Sequence, residues 1–324
     1  MKPKVFLTSC LPVAVMDRLE READLAWHTG EEAAARAVIV AGLRGGDALL
    51  CNLRDKVDAD LLDQCPGLKV VANFGVGYNH IDIAAASARR IPVTNTPGVL
   101  TDATADLAFA LLLASARRLG EGERMVRNHC WHGWEAMQLL GADVAGATLG
   151  VVGFGRIGRA VARRARAFSM RVIYWNRTRL AAADEEGAAF AEFDDLLRQS
   201  DFVSLHVAYS PATHHLLDAI KLSLMKPGAH VINTARGAVI DEPALVRALQ
   251  TKQIAGAGLD VFEREPQIEP GLFQLENVVL APHLGSATTG TRTKMGMIAV
   301  DNILAACAGH LPPNCINPEA LAPR

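Results

Sequence analysis

The sequence has no excess of either charge: 33 Lys and Arg face 35 Asp and Glu, for a formal net charge of −2. Without such an excess there is no general electrostatic footprint for nucleic acid, and no nucleic-acid partner is expected. Long hydrophobic runs are also missing. The longest apolar stretch, residues 107–114, falls far short of the ~20 residues needed to cross a bilayer and reads as a buried helix. Residues 5–16 are fairly apolar but contain a Pro. Asp17 and Arg18 follow with no small-residue cleavage site, so neither a signal peptide nor a membrane partner is expected. The six Cys, at positions 10, 51, 65, 130, 307 and 315, show no paired spacing. That argues against a disulfide scaffold and for reduced thiols in a cytoplasmic protein. There is no solenoid repeat and no low-complexity tract. What is present is an ordinary globular composition, 50% hydrophobic and 21% charged, over 324 residues, a length that suits about two domains.

Short apolar runs alternate with amphipathic segments through the first hundred residues. Strands are expected at 4–8, 47–51, 69–73 and 92–94, with helices at 12–22 and 58–64. This alternation implies βαβ units and a mostly parallel sheet. Pro97 and Gly98 punctuate the chain, and a long helix from about Asp102 to Leu119 follows, with Thr101 as its N-cap. A second alternating series starts at 148, with strands at 171–175, 202–206, 230–233, 255–259 and 277–280. Runs that are apolar throughout fit strands covered on both faces, so the fold class is α/β with two doubly wound parallel-sheet domains and a cleft between them. A last helix at about 287–309 has no strand after it in the second sheet. It is expected to return to the first domain, giving a discontinuous outer domain (1–100 and 286–324) around an inserted one (101–285).

Within Leu149–Gly158, Gly153, Gly155 and Gly158 match G-x-G-x-x-G. The pattern follows an apolar strand and opens a helix with Ile157, Val161 and Phe168 on one side. That context turns a common glycine spacing into a dinucleotide-binding expectation, with the pyrophosphate at the helix N-terminus. About 20 residues on, where an acidic residue takes the ribose 2′-OH in NAD enzymes, the chain reads Asn176-Arg177-Thr178-Arg179. No carboxylate there repels a 2′-phosphate, and a guanidinium can bind one, so NADPH is favoured and NADH remains possible. A solvated surface role for Arg177 and Arg179 is the alternative.

Three loops after predicted strands carry reactive side chains: Asn233–Gly237 with Arg236, Leu259–Pro266 with Asp260 and Glu265, and Ala281–Ser286 with His283. Alone, each has a structural reading. Together, at the carboxyl ends of parallel strands, they supply what 2-oxo acid reduction needs. Those needs are a cation for the carboxylate, a proton donor for the carbonyl oxygen, and a carboxylate to keep that donor protonated. His129, Cys130 and His132 could be drawn as a metal site, but no further ligands follow at zinc spacing. Hydride transfer needs no metal, so none is expected.

The tracts G-F-G-R-I-G (153–158), N-T-A-R-G (233–237), G-L-D-V-F-E-R-E-P (258–266) and A-P-H-L-G-S-A-T (281–288) resemble the D-2-hydroxyacid dehydrogenase family. The segment N-F-G-V-G-Y-N-H-I-D (73–82) is similar to that family's substrate-carboxylate loop. The likeness covers nearly the whole chain. Within the family it is greatest to glyoxylate/hydroxypyruvate reductases, whose NADPH-using members W-N-R-T-R (175–179) resembles. The tail N-C-I-N-P (314–318) is similar to that of bacterial members that also reduce 2-ketogluconate.

The resemblance implies the following roles. Arg236 binds the substrate carboxylate, His283 exchanges the proton and Glu265 pairs with His283. The N–H groups of Val76 and Gly77 assist with the carboxylate, and Leu53 borders the substrate. Gly153, Phe154, Gly155, Arg156, Ile157 and Gly158 hold the pyrophosphate, while Asn176, Arg177 and Thr178 surround the adenosine ribose. Thr234, Ala235, Asp260 and Gly285 lie at the nicotinamide end together with Arg236 and His283, Asp260 accepting from the carboxamide. The resemblance also implies a homodimer, with Trp131 and Trp134 as candidates for the interface or for the partner's pocket; the equal alternative is that they cap the core of their own domain. Two alternatives stand beside this reading: the same chemistry on a bulkier 2-keto acid such as 2-ketogluconate, and a nucleotide-sensing corepressor.

Overall fold

The computed structural model describes residues 1–321. They form two compact units, residues 1–100 with 288–321 and residues 101–287. The first unit runs β1 (Lys4–Leu7), α1 (Val13–Glu22), β2 (Asp24–Trp27), α2 (Arg36–Gly42), β3 (Ala48–Cys51), α3 (Ala59–Asp63), β4 (Val70–Asn73), α4 (Ile83–Ala88) and β5 (Val93–Thr94). Its five strands are parallel in the order β2-β1-β3-β4-β5. Successive residues feed opposite faces. Leu49, Cys51 and Val71 enter one core, while Ala48, Leu50, Val70 and Ala72 enter the other. Two covered faces explain why these strands are apolar at every position instead of alternating. Asp58 and Asp82 accept from Leu61 N–H and Ala85 N–H and so cap α3 and α4.

The second unit holds α5 (Thr101–Ala116), α6 (Leu119–Arg127), β6 (Thr148–Val152), α7 (Arg156–Ala167), β7 (Arg171–Trp175), β8 (Ala189–Phe190), α8 (Phe193–Gln199), β9 (Phe202–Leu205), α9 (Ala219–Ser223), β10 (His230–Asn233), α10 (Glu242–Gln250), β11 (Gly256–Leu259) and β12 (Val278–Leu280). Seven parallel strands run in the order β12-β11-β10-β9-β6-β7-β8. The crossover from β8 back to β9 beside β6 makes a topological switch point, where ligands bind at strand C-termini. Here too neighbours diverge: Val151 and Ile232 pack into one core, Val152 and Val231 into the other.

The last helix, α11 (Thr289–Cys307), is capped by Thr288, which accepts from Thr291 N–H. It packs on α1 and β4 within the first unit, so the chain does return there. The second crossing between units falls after Ala287, two residues beyond the expected place.

The long helix expected from about Asp102 to Leu119 is α5, which stops at Ala116, three residues short. Arg118 has φ 52°, and the Ala116 carbonyl is taken by the N–H of Ala142 instead of by the helix. Thr101 is already helical and is not the cap. Edge strands β2 and β8 are additions to the expected set. β2 is mostly exposed and β8 has two residues, so neither shows the apolar run of a buried strand.

The C-terminal segment closes the edge of the first sheet through Asn317. Its Oδ1 accepts from Val93 N–H at 2.7 Å, and its Nδ2 donates to the Ile91 carbonyl at 3.0 Å and to Ser87 Oγ at 2.9 Å. Asn317 is 1% exposed, so truncation leaves a buried N–H and a buried carbonyl unpaired. Asn317→Ala should lower the unfolding free energy by about 1–3 kcal/mol. Urea denaturation monitored by circular dichroism measures the change.

Candidate active site

β6 delivers the chain to Gly153 at φ 95°, where a Cβ would lie 2.7 Å from the main chain of His206 and Val207. A Cβ on Gly158 would meet the Gly153 carbonyl at 2.2 Å. These two glycines let the strand turn directly into α7. Gly155, the N-cap of α7, contributes no side chain, and a Cβ there would face open space. The first N–H groups of α7 are therefore available to an anion. Arg156 is exposed with no side-chain partner among the described residues, Ile157 is half-buried, and α7 turns Val161, Ala162 and Ala165 inward.

The strand behind this loop holds it in place. Asn176 Oδ1 accepts the Phe154 N–H at 2.7 Å. Phe154 itself departs from expectation. The residue is 1% exposed and its ring packs on Tyr174 with centroids 4.6 Å apart, so the side chain belongs to the core. Arg179 is also committed: it pairs with Glu185 at 2.9 Å and lies over the Phe190 ring. The Arg179 hydrogen bond, then that from Tyr174, holds the Glu185 carboxyl below its ordinary value. Arg177 and Thr178 are exposed, and Arg177 has no partner among the described residues.

The loops after β10, β11 and β12 lie side by side. Asn233 shapes the first, its Oδ1 accepting from Ala235 N–H and its Nδ2 donating to the Arg236 carbonyl, both at 3.0 Å. Arg236 is half-buried and donates to the Ala235 carbonyl at 2.7 Å. Desolvation lowers its pKa from the ordinary arginine value, against the opposing charge of Glu265. Thr234 Oγ1 is buried with no hydrogen-bond partner among the described residues. Such a hydroxyl needs one, and a bound ligand is the available source. Open space over Gly155, the uncapped α7 N-terminus and this hydroxyl all fit a dinucleotide.

His283 stands in the left-handed region at φ 55°. Its Nδ1 is 2.8 Å from Glu265 Oε2, and its Nε2 has no partner among the described residues. Glu265 Oε1 accepts from Phe262 N–H at 2.9 Å. Burial raises the Glu265 carboxyl, but the His283 hydrogen bond and charge, the Phe262 N–H and the Arg236 charge outweigh it, and its pKa lies below the ordinary value.

Asp260, expected to accept from a carboxamide, already holds main-chain donors on both oxygens. Oδ1 takes Leu284 N–H at 2.5 Å and Oδ2 takes Gly285 N–H at 2.8 Å. It anchors the loop that carries His283. Gly285 is fixed from its other side as well, its carbonyl accepting from Thr104 Oγ1 at 3.1 Å. Sequence reasoning missed this tie because a main-chain partner leaves no residue type to read.

In the first unit, Leu53 packs beside Gly75 in the loops after β3 and β4. Asn73 Nδ2 donates to the carbonyls of Gly75 and Gly77, and Asn95 Nδ2 to that of Val76. These bonds turn the carbonyls away. The N–H groups of Val76 and Gly77 have no acceptor among the described residues. Two adjacent free N–H groups suit an anion. Arg236, Glu265 and His283 all belong to the second unit. His129, Cys130 and His132 do not converge on a common point.

A glycine loop followed by these three loops is reproduced in known proteins. The family described as D-isomer specific 2-hydroxyacid dehydrogenase, NAD binding domain, matches residues 109–285. The glyoxylate reductase of Thermococcus litoralis is 49% identical over 326 aligned positions, which cover 99% of this chain and 98% of the relative. The chain belongs to the D-2-hydroxyacid dehydrogenase family. A protein from Thermus thermophilus superposes with TM-score 0.91 at 46% identity, covering 96% of this chain and 99% of that one. An NADPH-dependent glyoxylate/hydroxypyruvate reductase from Sinorhizobium meliloti, solved with NADP and malonate, gives 0.89 at 35% identity, with 100% and 99% covered. As a family member, the protein is an oxidoreductase acting between 2-oxo and 2-hydroxy acids, with a nicotinamide cofactor.

For this dehydrogenase the Asp260 anchor has a measurable role. Asn in its place offers one acceptor oxygen and points an N–H group at a main-chain N–H. Asp260→Asn should let the His283 loop shift and lower kcat by about 10- to 100-fold, with cofactor affinity little changed. Steady-state kinetics together with fluorescence titration of the cofactor separate the two effects.

Proposed function

We propose that the protein reduces small 2-oxo acids, glyoxylate and hydroxypyruvate foremost, to 2-hydroxy acids, with NADPH as the preferred cofactor. The observation that carries this reading is the Glu265–His283 pair. With Nδ1 held at 2.8 Å, Nε2 is the nitrogen left to meet a carbonyl oxygen. When bound, the nicotinamide supplies the hydride. His283 Nε2 stabilises the growing charge on the substrate oxygen and delivers its proton there; in the reverse direction it removes the hydroxyl proton. Glu265 fixes the ring orientation and balances its charge. The Arg236 guanidinium grips the substrate carboxylate in one plane. Its desolvation is a cost that a bound anion offsets. The free N–H groups of Val76 and Gly77 suit a carboxylate as well. Names among the relatives support the substrate class: the Thermococcus litoralis protein is a glyoxylate reductase.

The preference for NADPH rests on charge. Asn176 makes the tie to Phe154 N–H that an Asp could also make, but does so without a negative charge beside the ribose. Arg177 is exposed and uncommitted, so it is available to a 2′-phosphate. The Sinorhizobium meliloti relative, solved with NADP, supports this choice.

A second copy of the chain is the proposed partner. α6 buries no residue, and Leu119, Val126, Trp131, Trp134, Met137 and Leu140 are all exposed, Trp134 at 83%. A patch of this kind marks an association surface. Sedimentation velocity tests for the dimer.

A panel of glyoxylate, hydroxypyruvate, pyruvate and 2-ketogluconate, assayed with NADPH and NADH, tests the assignment. Highest kcat/KM on glyoxylate or hydroxypyruvate with NADPH is expected; turnover restricted to 2-ketogluconate would replace the substrate. Arg177→Ala should weaken NADPH binding by about 10- to 150-fold and leave NADH nearly unchanged. Equal losses for both cofactors would remove Arg177 from the 2′-phosphate.

Glu265→Gln removes the charge and keeps the shape. Reductive kcat/KM should fall across the pH range, because the ring loses the charged partner that fixes its Nδ1 and aims its Nε2. Stability follows the depressed Glu265 pKa. Its contribution is fully present above the ordinary carboxyl value and is lost as pH falls through the lower folded value. The variant should therefore melt below wild type at pH 7 and converge with it in acid. pH–rate profiles and calorimetry measure both effects.

A further inference from the structure

We propose that His214, His215 and Glu263 bind a divalent transition-metal ion of the zinc class, at a site separate from the catalytic groups. The three side chains each offer a ligand atom, and these atoms lie within 4.8 Å of one another. His215 Nε2 is 2.9 Å from Glu263 Oε1. The two imidazoles are stacked, with centroids 3.9 Å apart and planes 21° from parallel. Side chains of consecutive residues in an extended chain point to opposite sides. Here they point the same way because His215 is left-handed at φ 48°, with its N–H held by the Ala238 carbonyl at 2.8 Å. Stacked histidines repel each other when both are protonated, whereas two neutral imidazoles and a carboxylate form a ready donor set.

That donor set selects the metal. Imidazole favours zinc, cobalt, nickel and copper, while magnesium and calcium prefer all-oxygen sites. Zn–N and Zn–O bonds of about 2.0–2.2 Å place tetrahedral ligand atoms about 3.3 Å apart. The present ligand atoms, all within 4.8 Å of one another, lie near that spacing. His214 is exposed and His215 and Glu263 are half-buried, so water can complete the coordination. The Tyr209 hydroxyl, 3.4 Å from His214 Nδ1, can orient that ring.

The location gives the ion a consequence. Glu263 N–H donates to Glu242 Oε1 at 2.8 Å, and Phe262 N–H donates to Glu265. The same main chain lies against the Arg236 loop so closely that a Cβ on Gly237 would sit 1.8 Å from the Phe262 carbonyl carbon. A bound ion would brace the segment after β9 against the loop bearing Glu265. It touches neither Arg236, Glu265 nor His283, so its role is structural.

The test uses the full chain with Zn2+ alone, by isothermal titration calorimetry and thermal melting, with Mg2+ in parallel. One equivalent of Zn2+ should bind and raise the melting temperature, while Mg2+ does neither. His214→Ala, an exposed change that leaves the His215 backbone alone, should weaken binding by roughly 10-fold or more, and Glu263→Gln should do the same. Both variants should lose the zinc-dependent rise in melting temperature. Cys130→Ser should bind as wild type does. Absence of binding, equal response to Mg2+, or binding and melting unchanged in the two ligand variants would overturn the proposal.

Discussion

Asp260 ties together the ends of three neighbouring strands. Its N–H donates to the Asn233 carbonyl at the end of β10, and its own carbonyl accepts from His283 N–H beyond β12, both at 2.9 Å. Its side chain takes two further N–H groups from the same loop. Burial raises the Asp260 carboxyl, the Glu265 charge adds to this, and the two N–H donors and the His283 charge only partly offset it. A carboxylate 1% exposed is a costly way to hold a loop. What it achieves is the left-handed His283 backbone, from which Nδ1 meets Glu265. The loops that carry Arg236, Glu265 and His283 thus share one buried anchor, and the geometry of each depends on the other two.

Much of this was legible in the sequence because parallel sheets impose a pattern. Strands covered on both faces must be apolar at successive positions, and β3, β4, β9 and β10 are buried throughout. The glycine loop was legible for a steric reason: only glycine allows the approach of Gly158 to the Gly153 carbonyl. Arg236, Glu265 and His283 could be singled out because their residue types are tied to the chemistry expected of them. Their relation in space was not legible, since the Glu265–His283 contact spans 18 positions and depends on the Asp260 anchor.

The unexpected features have one physical origin. Main-chain hydrogen bonding and rotamer choice leave little trace in residue identity. Phe154 stands inside a ligand-binding signature, yet its ring goes where Tyr174 offers a partner. α5 stops at Ala116, whose carbonyl takes the Ala142 N–H, and the chain turns at a left-handed Arg118 with no glycine or proline there. β2 and β8 are edge strands with little buried surface, so no hydrophobic run announces them.

Asn176 shows how one side chain can serve structure and selectivity at once. Its oxygen is needed to hold the glycine loop through Phe154 N–H. Asp would hold that N–H more strongly, since charge-assisted hydrogen bonds exceed neutral ones. The loop therefore carries a weaker tie than the position allows, and stability alone does not account for Asn there. A neutral acceptor keeps a carboxylate away from the Phe154 N–H, and Arg177 beside it is exposed with no partner among the described residues. At the second unit's other end the balance is reversed. Glu265 keeps its charge below the ordinary carboxyl range, next to a desolvated Arg236 and an imidazole with one nitrogen open. The same unit thus holds its glycine loop with a neutral side chain and its later loops with a network of charged ones.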